Sequence, residues 1–264
     1  MERTNPSSTT ASPAASSLPD LPEPGGLCAI HQPNLFPRLT TLAKLFAADY
    51  WIVLDDVQFT RRDYQHRARL GDLDEPDRQQ WLTVPTHLPR GRQTLIRDAL
   101  IGDPGLARRK TAGMLRQHYG ASPHWPALAQ ALDPVLDAFG TGRTAAAAEI
   151  STRALLSLLG WQGKILVSSE LPSRPGRSQR LTDLCAITGA RAYVCGTGGM
   201  TYLDSAPFAA EGISVLPFQP PMTDVWPSGR SLSSLWALAA LGPQEVADRV
   251  QLLASDFGLV VPAA

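Results

Sequence analysis

Two short polar clusters hold the side chains of this chain best suited to chemistry: His31-Gln32-Pro33-Asn34 and Asp55-Asp56-Val57-Gln58. An unperturbed imidazole titrates near neutrality, so His31 suits general acid or base work. A carboxylate beside an imidazole orients it and favours its charged form, which makes Asp55 and Asp56 its candidate partners. Side chains alternate along a strand. An extended Asp55-Asp56 would therefore send one carboxylate towards His31 and leave the other to cap the next turn. The plainer alternatives are a histidine that fixes its own turn and two turn-forming aspartates. Gln32, Asn34 and Gln58 add amides able to hold polar substrate groups.

Downstream, TRRDYQHRARL (residues 60 to 70) crowds Arg61, Arg62, Arg67 and Arg69 together with Tyr64 and His66. It reads either as a solvated connection or as a cationic wall. In the second case Arg62 and Arg67 would bind a carboxylate or phosphate at the cleft rim. Later in the chain, Ser168, Ser169 and Glu170 follow an apolar run, and GTGGMTYLD follows another. Ser169 and Tyr202 join the candidate substrate contacts. Gly196 and Gly198 allow close backbone approach to a ligand, or merely a tight turn. Cys195, beside that turn, is the one thiol worth testing as a nucleophile.

The elements that must position these groups follow from periodicity. Leu27 to Ile30 is an apolar strand ending at His31. Leu39, Leu42, Ala43, Leu45 and Phe46 recur at helical spacing, and Trp51 to Leu54 is a run suited to a strand buried on both faces. Two strands joined by such a helix are most simply a parallel βαβ unit. Both polar clusters then lie at carboxyl ends of neighbouring strands, where open α/β sheets bind ligands. Residues 164 to 167, a helix over 178 to 189 and a strand over 192 to 195 repeat the layout, so the two blocks are expected side by side. That places His31, one of Asp55 and Asp56, and Ser169 in one cleft. Between the blocks come a strand at Trp81 to Pro85, a short strand within Leu95 to Ile101, and helices over 104–139 and 143–160. A last strand spans 213 to 218, with helices over 231–242 and 246–257.

HQPN, LDDVQF, WLTVP, an aromatic at Tyr119, SSEL, the QRL at 179 to 181, GA..Y..G, YLD and SLSSLWALAALG together resemble the WbqC-like protein family, over roughly residues 27 to 258. The resemblance implies a part in surface-polysaccharide or small-molecule (natural product) biosynthesis. The opening unit also has the outline of HIGH-type nucleotidyltransferases, with Asn34 where that motif carries its last His and no clear KMSKS-like stretch. The expected fold is accordingly α/β: a mostly parallel, Rossmann-like (HUP/nucleotidyltransferase-like) sheet with an inserted helical subdomain at about 104–160. Residues 1–25, rich in Ser, Thr, Pro and Ala, read as a disordered tail. Residues 26–262 read as a single domain.

Composition limits the partners. Of 264 residues, 24 are Lys or Arg and 24 are Asp or Glu, so no global charge favours nucleic acid or an anionic membrane. No apolar run approaches the ~20 residues of a spanning helix, and no secretory signal is read at the N-terminus. Cys28, Cys185 and Cys195 lie at non-metal spacings, which suits free thiols in a reducing cytoplasm. No HxxxH, HExxH or CxxC spacing points to a metal, and GTGG is not GxGxxG, so no cofactor is expected.

Three functions fit. The first is acyl or aminoacyl transfer to an amine on a small molecule or sugar, with His31 as general base, oriented by Asp55 or Asp56, and an acyl donor or carrier protein as partner. The second is nucleotide-dependent carboxylate activation or nucleotidyl transfer. The third is a non-catalytic pathway scaffold.

Overall fold

The structure is a computed structural model and describes residues 26–258. The expected tail at 1–25 lies outside the described residues. That span holds nine strands and ten α-helices. In chain order they begin with β1 (Leu27–His31), α1 (Leu39–Phe46), β2 (Tyr50–Val53), β3 (Arg67–Gly71), β4 (Gln79–Thr83), β5 (Thr86–His87) and β6 (Leu100–Ile101). Next come α2 (Pro104–Tyr119), α3 (Trp125–Ala138), α4 (Thr144–Leu158), β7 (Lys164–Val167), α5 (Arg177–Ile187) and β8 (Ala192–Gly196). The last are α6 (Thr197–Met200), α7 (Ala206–Ala210), β9 (Ser214–Phe218), α8 (Trp226–Gly229), α9 (Ser234–Leu241) and α10 (Pro243–Gly258).

The fold is α/β. Five parallel strands form one sheet in the order β7-β2-β1-β8-β9. Alternating residues send their side chains to opposite faces, and both faces are covered. Ala29, Trp51 and Val53 pack with α1, α4 and α9, while Cys28, Ile30, Tyr50 and Ile52 pack with Leu184 and Cys185 of α5 and Phe208 of α7. Among the described residues no helix is long and apolar enough to cross a membrane.

The two blocks are interleaved rather than side by side. The strands of the second block flank the first: β7 pairs with β2, and β8 pairs with β1. The reason is handedness. The connections β1-α1-β2 and β2-α4-β7 run along one face, and α5 brings the chain back over the other. Counted along the chain, the five strands therefore lie 3-2-1-4-5, and the order reverses between β1 and β8. Open sheets of this kind leave a crevice at that switch point.

Three sequence expectations change in detail. The Arg-rich stretch is not a plain solvated connection, because Arg67 starts β3, which pairs antiparallel with β4. Gln65 and His66 just before it are buried, and burial and Arg67 push the His66 imidazole down to about 4. The expected strand within Leu95 to Ile101 is a 3-10 turn followed by the two-residue β6. The glycine stretch after β8, read as a close approach to a ligand or a tight turn, is one helical turn, α6.

The helical block holds the HQPN loop in place. Ser151 Oγ on α4 accepts from Phe36 N at 2.9 Å, and Thr152 Oγ1 donates to Asn34 O at 3.1 Å. Phe36 sits at φ 45°, a left-handed position that costs a bulky residue energy unless its surroundings enforce it. Ser151→Ala strands the buried Phe36 N–H, so it is expected to cost about 1–3 kcal/mol of stability, measurable by urea denaturation.

Candidate active site at the switch point

His31 ends β1, and its backbone carbonyl accepts from Leu54 N and Trp51 Nε1. Both ring nitrogens face polar groups. Asn34 Nδ2 lies 3.0 Å from Nε2, and Lys44 Nζ lies 3.2 Å from Nδ1. Burial first, then the charges of Lys44 and Arg38, hold His31 well below the usual imidazole range, so the ring is neutral at pH 7. Lys44 comes from α1 and is only 5% exposed. Burial brings its ammonium down to about 8, with Cys195 and Cys28 opposing the shift. The neutral ring carries one N–H: with a charged Lys44 donating to Nδ1 it sits on Nε2, facing the Asn34 amide, and once Lys44 loses its proton, above about pH 8, Nδ1–H can donate to Nζ instead.

His31, Lys44, Arg38, Gly196, Thr197 and Arg230 are among the residues lining a cavity of about 250 Å³ at the switch point. A second cavity of about 940 Å³, lined in part by Gln32, Leu54, Arg180, Leu181, Tyr202 and Leu203, shares the walls Tyr193, Cys195 and Gly199 with it. Arg38, Lys44 and Arg230 line the smaller chamber beside Ile30 and Phe218, whereas the larger one sets Leu54, Val57, Leu181 and Leu203 beside Arg177 and Arg180. Cys195 is buried between them, and burial pushes its thiol up despite Lys44, which does not favour a nucleophilic thiolate. Gly199 is needed at this wall, since a Cβ there would lie 2.7 Å from Cys195 Sγ.

The residues singled out from sequence divide into three groups. His31, Gly196 and Gly198 line the smaller chamber, with Asn34 on the His31 ring, while Gln32 and Tyr202 line the larger one. Gln32 also accepts from Gln65 Nε2 at 2.5 Å. Asp55, Asp56 and Ser169 sit at the same sheet edge, at the ends of β2 and β7, but His31 has no carboxylate partner among the described residues. Both aspartates turn to β7 instead of diverging. Ser168 Oγ lies 3.2 Å from Asp55 Oδ1 and 2.5 Å from Asp56 Oδ1, and Ser169 donates to Asp55 through N and Oγ at 3.2 and 2.9 Å. Arg180 pairs with Asp56. Burial raises the Asp56 carboxyl, but hydrogen bonds from Arg180 and Ser168 outweigh it and hold the group below its usual value.

Gln58, Arg62 and Arg67 go elsewhere. Gln58 donates to Arg92 O and lines a separate cavity of about 540 Å³ with Arg61, Arg62 and Arg92. Arg67 lies 4.3 Å over the Trp81 ring, donates to Asp63 O and contacts Arg62 O. The cations at the switch point are instead Arg38, Lys44 and Arg230, none of which was singled out from sequence. A signal existed for Lys44: it is the one charged residue in a short helix between two fully buried strands. Arg38 and Arg230 had none, because 192 residues separate them. Among the described residues, no three His, Cys, Asp or Glu side chains gather as a metal-ligand set.

The model of the WbqC-like protein family matches residues 32–238, which run from Gln32, the residue after His31, through the Asp55-Asp56 cluster and into α9. The chain belongs to the WbqC-like protein family. This WbqC-like chain is also similar to the curated protein "Uncharacterized protein Rv1507c" of Mycobacterium tuberculosis (strain ATCC 25618 / H37Rv). The two are 28% identical over 188 residues, covering 71% of this chain and 79% of that protein. No solved structure matches it.

Proposed function

We propose that this WbqC-like protein is a biosynthetic transferase that moves an acyl or aminoacyl group onto an amine of a small molecule or sugar. The observation that carries the reading is the His31–Lys44 contact at the switch point, with both side chains biased towards their uncharged forms. An incoming amine takes the place of Asn34 at His31 Nε2. As its nitrogen bonds to the acyl carbon, its proton passes to Nε2, and the Nδ1 proton passes to Lys44 Nζ. The leaving group departs with the bonding electron pair and regains a proton from the same relay. The larger, more apolar chamber holds the acceptor, with Gln32 and Tyr202 against it. Asp55, Asp56 and Ser169 act at a distance by fixing the end of β2.

The test is genetic and chemical. A strain lacking the protein is expected to accumulate an unmodified amine. Wild-type protein should restore the modified product and His31→Gln should not, although His31→Gln should accumulate as folded protein. Full product from the His31→Gln strain would refute the transfer reading.

A further inference from the structure

We infer that the smaller chamber is a binding site for a dianionic oxyanion of the phosphate class, held by Arg38 and Arg230 with Lys44 behind them. The inference deepens the transfer reading and rests on it for one point, that the anion belongs to the group donor.

Three cationic side chains, Arg38, Lys44 and Arg230, line this cavity, and no Asp or Glu lines it. None of the three forms an ion pair with a carboxylate among the described residues. Their orientation comes from neutral groups. Arg38 Nη1 donates to Arg230 O at 3.1 Å, and its guanidinium lies 4.6 Å over the Tyr64 ring. Arg230 Nη2 donates to Pro220 O at 2.7 Å. Each guanidinium nevertheless keeps a buried Nε–H without a partner. Buried, unsatisfied donors on uncompensated cations are costly, and an oxyanion satisfies both the charge and the hydrogen bonds. Two planar forks converging from different elements suit a tetrahedral dianion better than a single carboxylate. The site also lies where the strand order reverses, beside His31, so a bound phosphate would place the donor's transferable group at the shared Cys195 wall, where it meets the acceptor held in the larger chamber. The arginine cluster around Arg61, Arg62 and Arg92 differs, since those side chains are exposed.

The experiment titrates the full chain with inorganic phosphate, pyrophosphate and acetate, following phosphorus NMR line widths and melting temperature. Millimolar phosphate or pyrophosphate is expected to bind and stabilise the protein, and acetate is not. Arg38→Gln and Arg230→Gln should each weaken phosphate binding by about tenfold to a hundredfold, and Arg92→Gln should leave it unchanged. Should either variant fail to fold, Arg38→Lys and Arg230→Lys take its place, with the same loss expected because a point charge cannot reproduce the fork. Absence of phosphate binding to the parent, equal binding of acetate, or an equal loss in Arg92→Gln would overturn the site. The titration needs no turnover, so it is independent of the transfer reading. Phosphate binding with a functional His31→Gln strain refutes transfer alone, and no binding with a silent His31→Gln strain refutes the anion site alone.

Discussion

Lys44→Met is expected to melt higher than the parent protein at pH 7 while losing turnover by about 10²- to 10⁴-fold, the range for removal of a proton-transfer group. The two effects share one cause. The folded chain holds Lys44 at about 8 against an ordinary 10.5. Between those values the unfolded chain binds more protons than the folded one, so stability rises with pH across that window. Below about pH 8 both states carry the proton and the whole penalty is present, which corresponds to about 3 kcal/mol. Methionine fills the same volume without the charge and forgoes only the contacts to His31 Nδ1 and to Ile30 O at 3.4 Å. The gain over the parent should therefore shrink as pH is raised from 7 towards 10. Turnover of the parent should follow the neutral lysine, with kcat/KM rising with pH and levelling above about 8. A bound phosphate beside Lys44 favours its charged form, so the corresponding limb of kcat should lie at higher pH than that of kcat/KM. Denaturant melts and rate profiles over this pH range check all three statements. A Lys44→Met protein that is less stable at pH 7 and fully active would remove Lys44 from the site.

Asp55→Ala is expected to cost about 2–4 kcal/mol, because the residue is 8% exposed and ties β2 to the turn after β7. Alanine leaves Ser169 N and Ser169 Oγ without the acceptor they share, and Ser168 Oγ keeps only Asp56 among the two carboxylates. Asparagine retains one acceptor oxygen and should cost less. Urea denaturation measures both, and a change under about 0.5 kcal/mol for alanine would show that the network carries no weight. Turnover per folded molecule should fall far less than in Lys44→Met, since the Asp55 carboxylate hydrogen-bonds Ser168 and Ser169 and not His31. The neighbouring Asp56 adds an acid limit. Its carboxyl is held below the usual value, so the stability it contributes is present above the unfolded value and is lost as pH falls through the folded one.

Much of this protein was legible in its sequence. The βαβ unit around HQPN and LDDVQF, the buried strands, and the helices at 104–119, 125–138 and 144–158 follow from local apolar period, and the strand-end polarity pointed to the sheet edge where the candidate site lies. Short-range patterns report these features because burial on one face or two is written into neighbouring residues. Three matters were decided only by the tertiary structure. The interleaved strand order depends on which face each crossover takes, and no single block encodes that choice. The partner of His31 depends on whether α1 turns Lys44 inward. A lysine on a helix reads as solvated, and only a sheet covered on both faces leaves it nowhere else to go. The cation pair Arg38 and Arg230 comes from chain segments 192 residues apart, brought together where a backbone bridge joins Arg38 to Ser233. Contacts of that range carry no local period, so the arginines that sequence favoured, Arg62 and Arg67, were those that merely crowd together, and packing assigned them to Gln58's cavity and the Trp81 face instead.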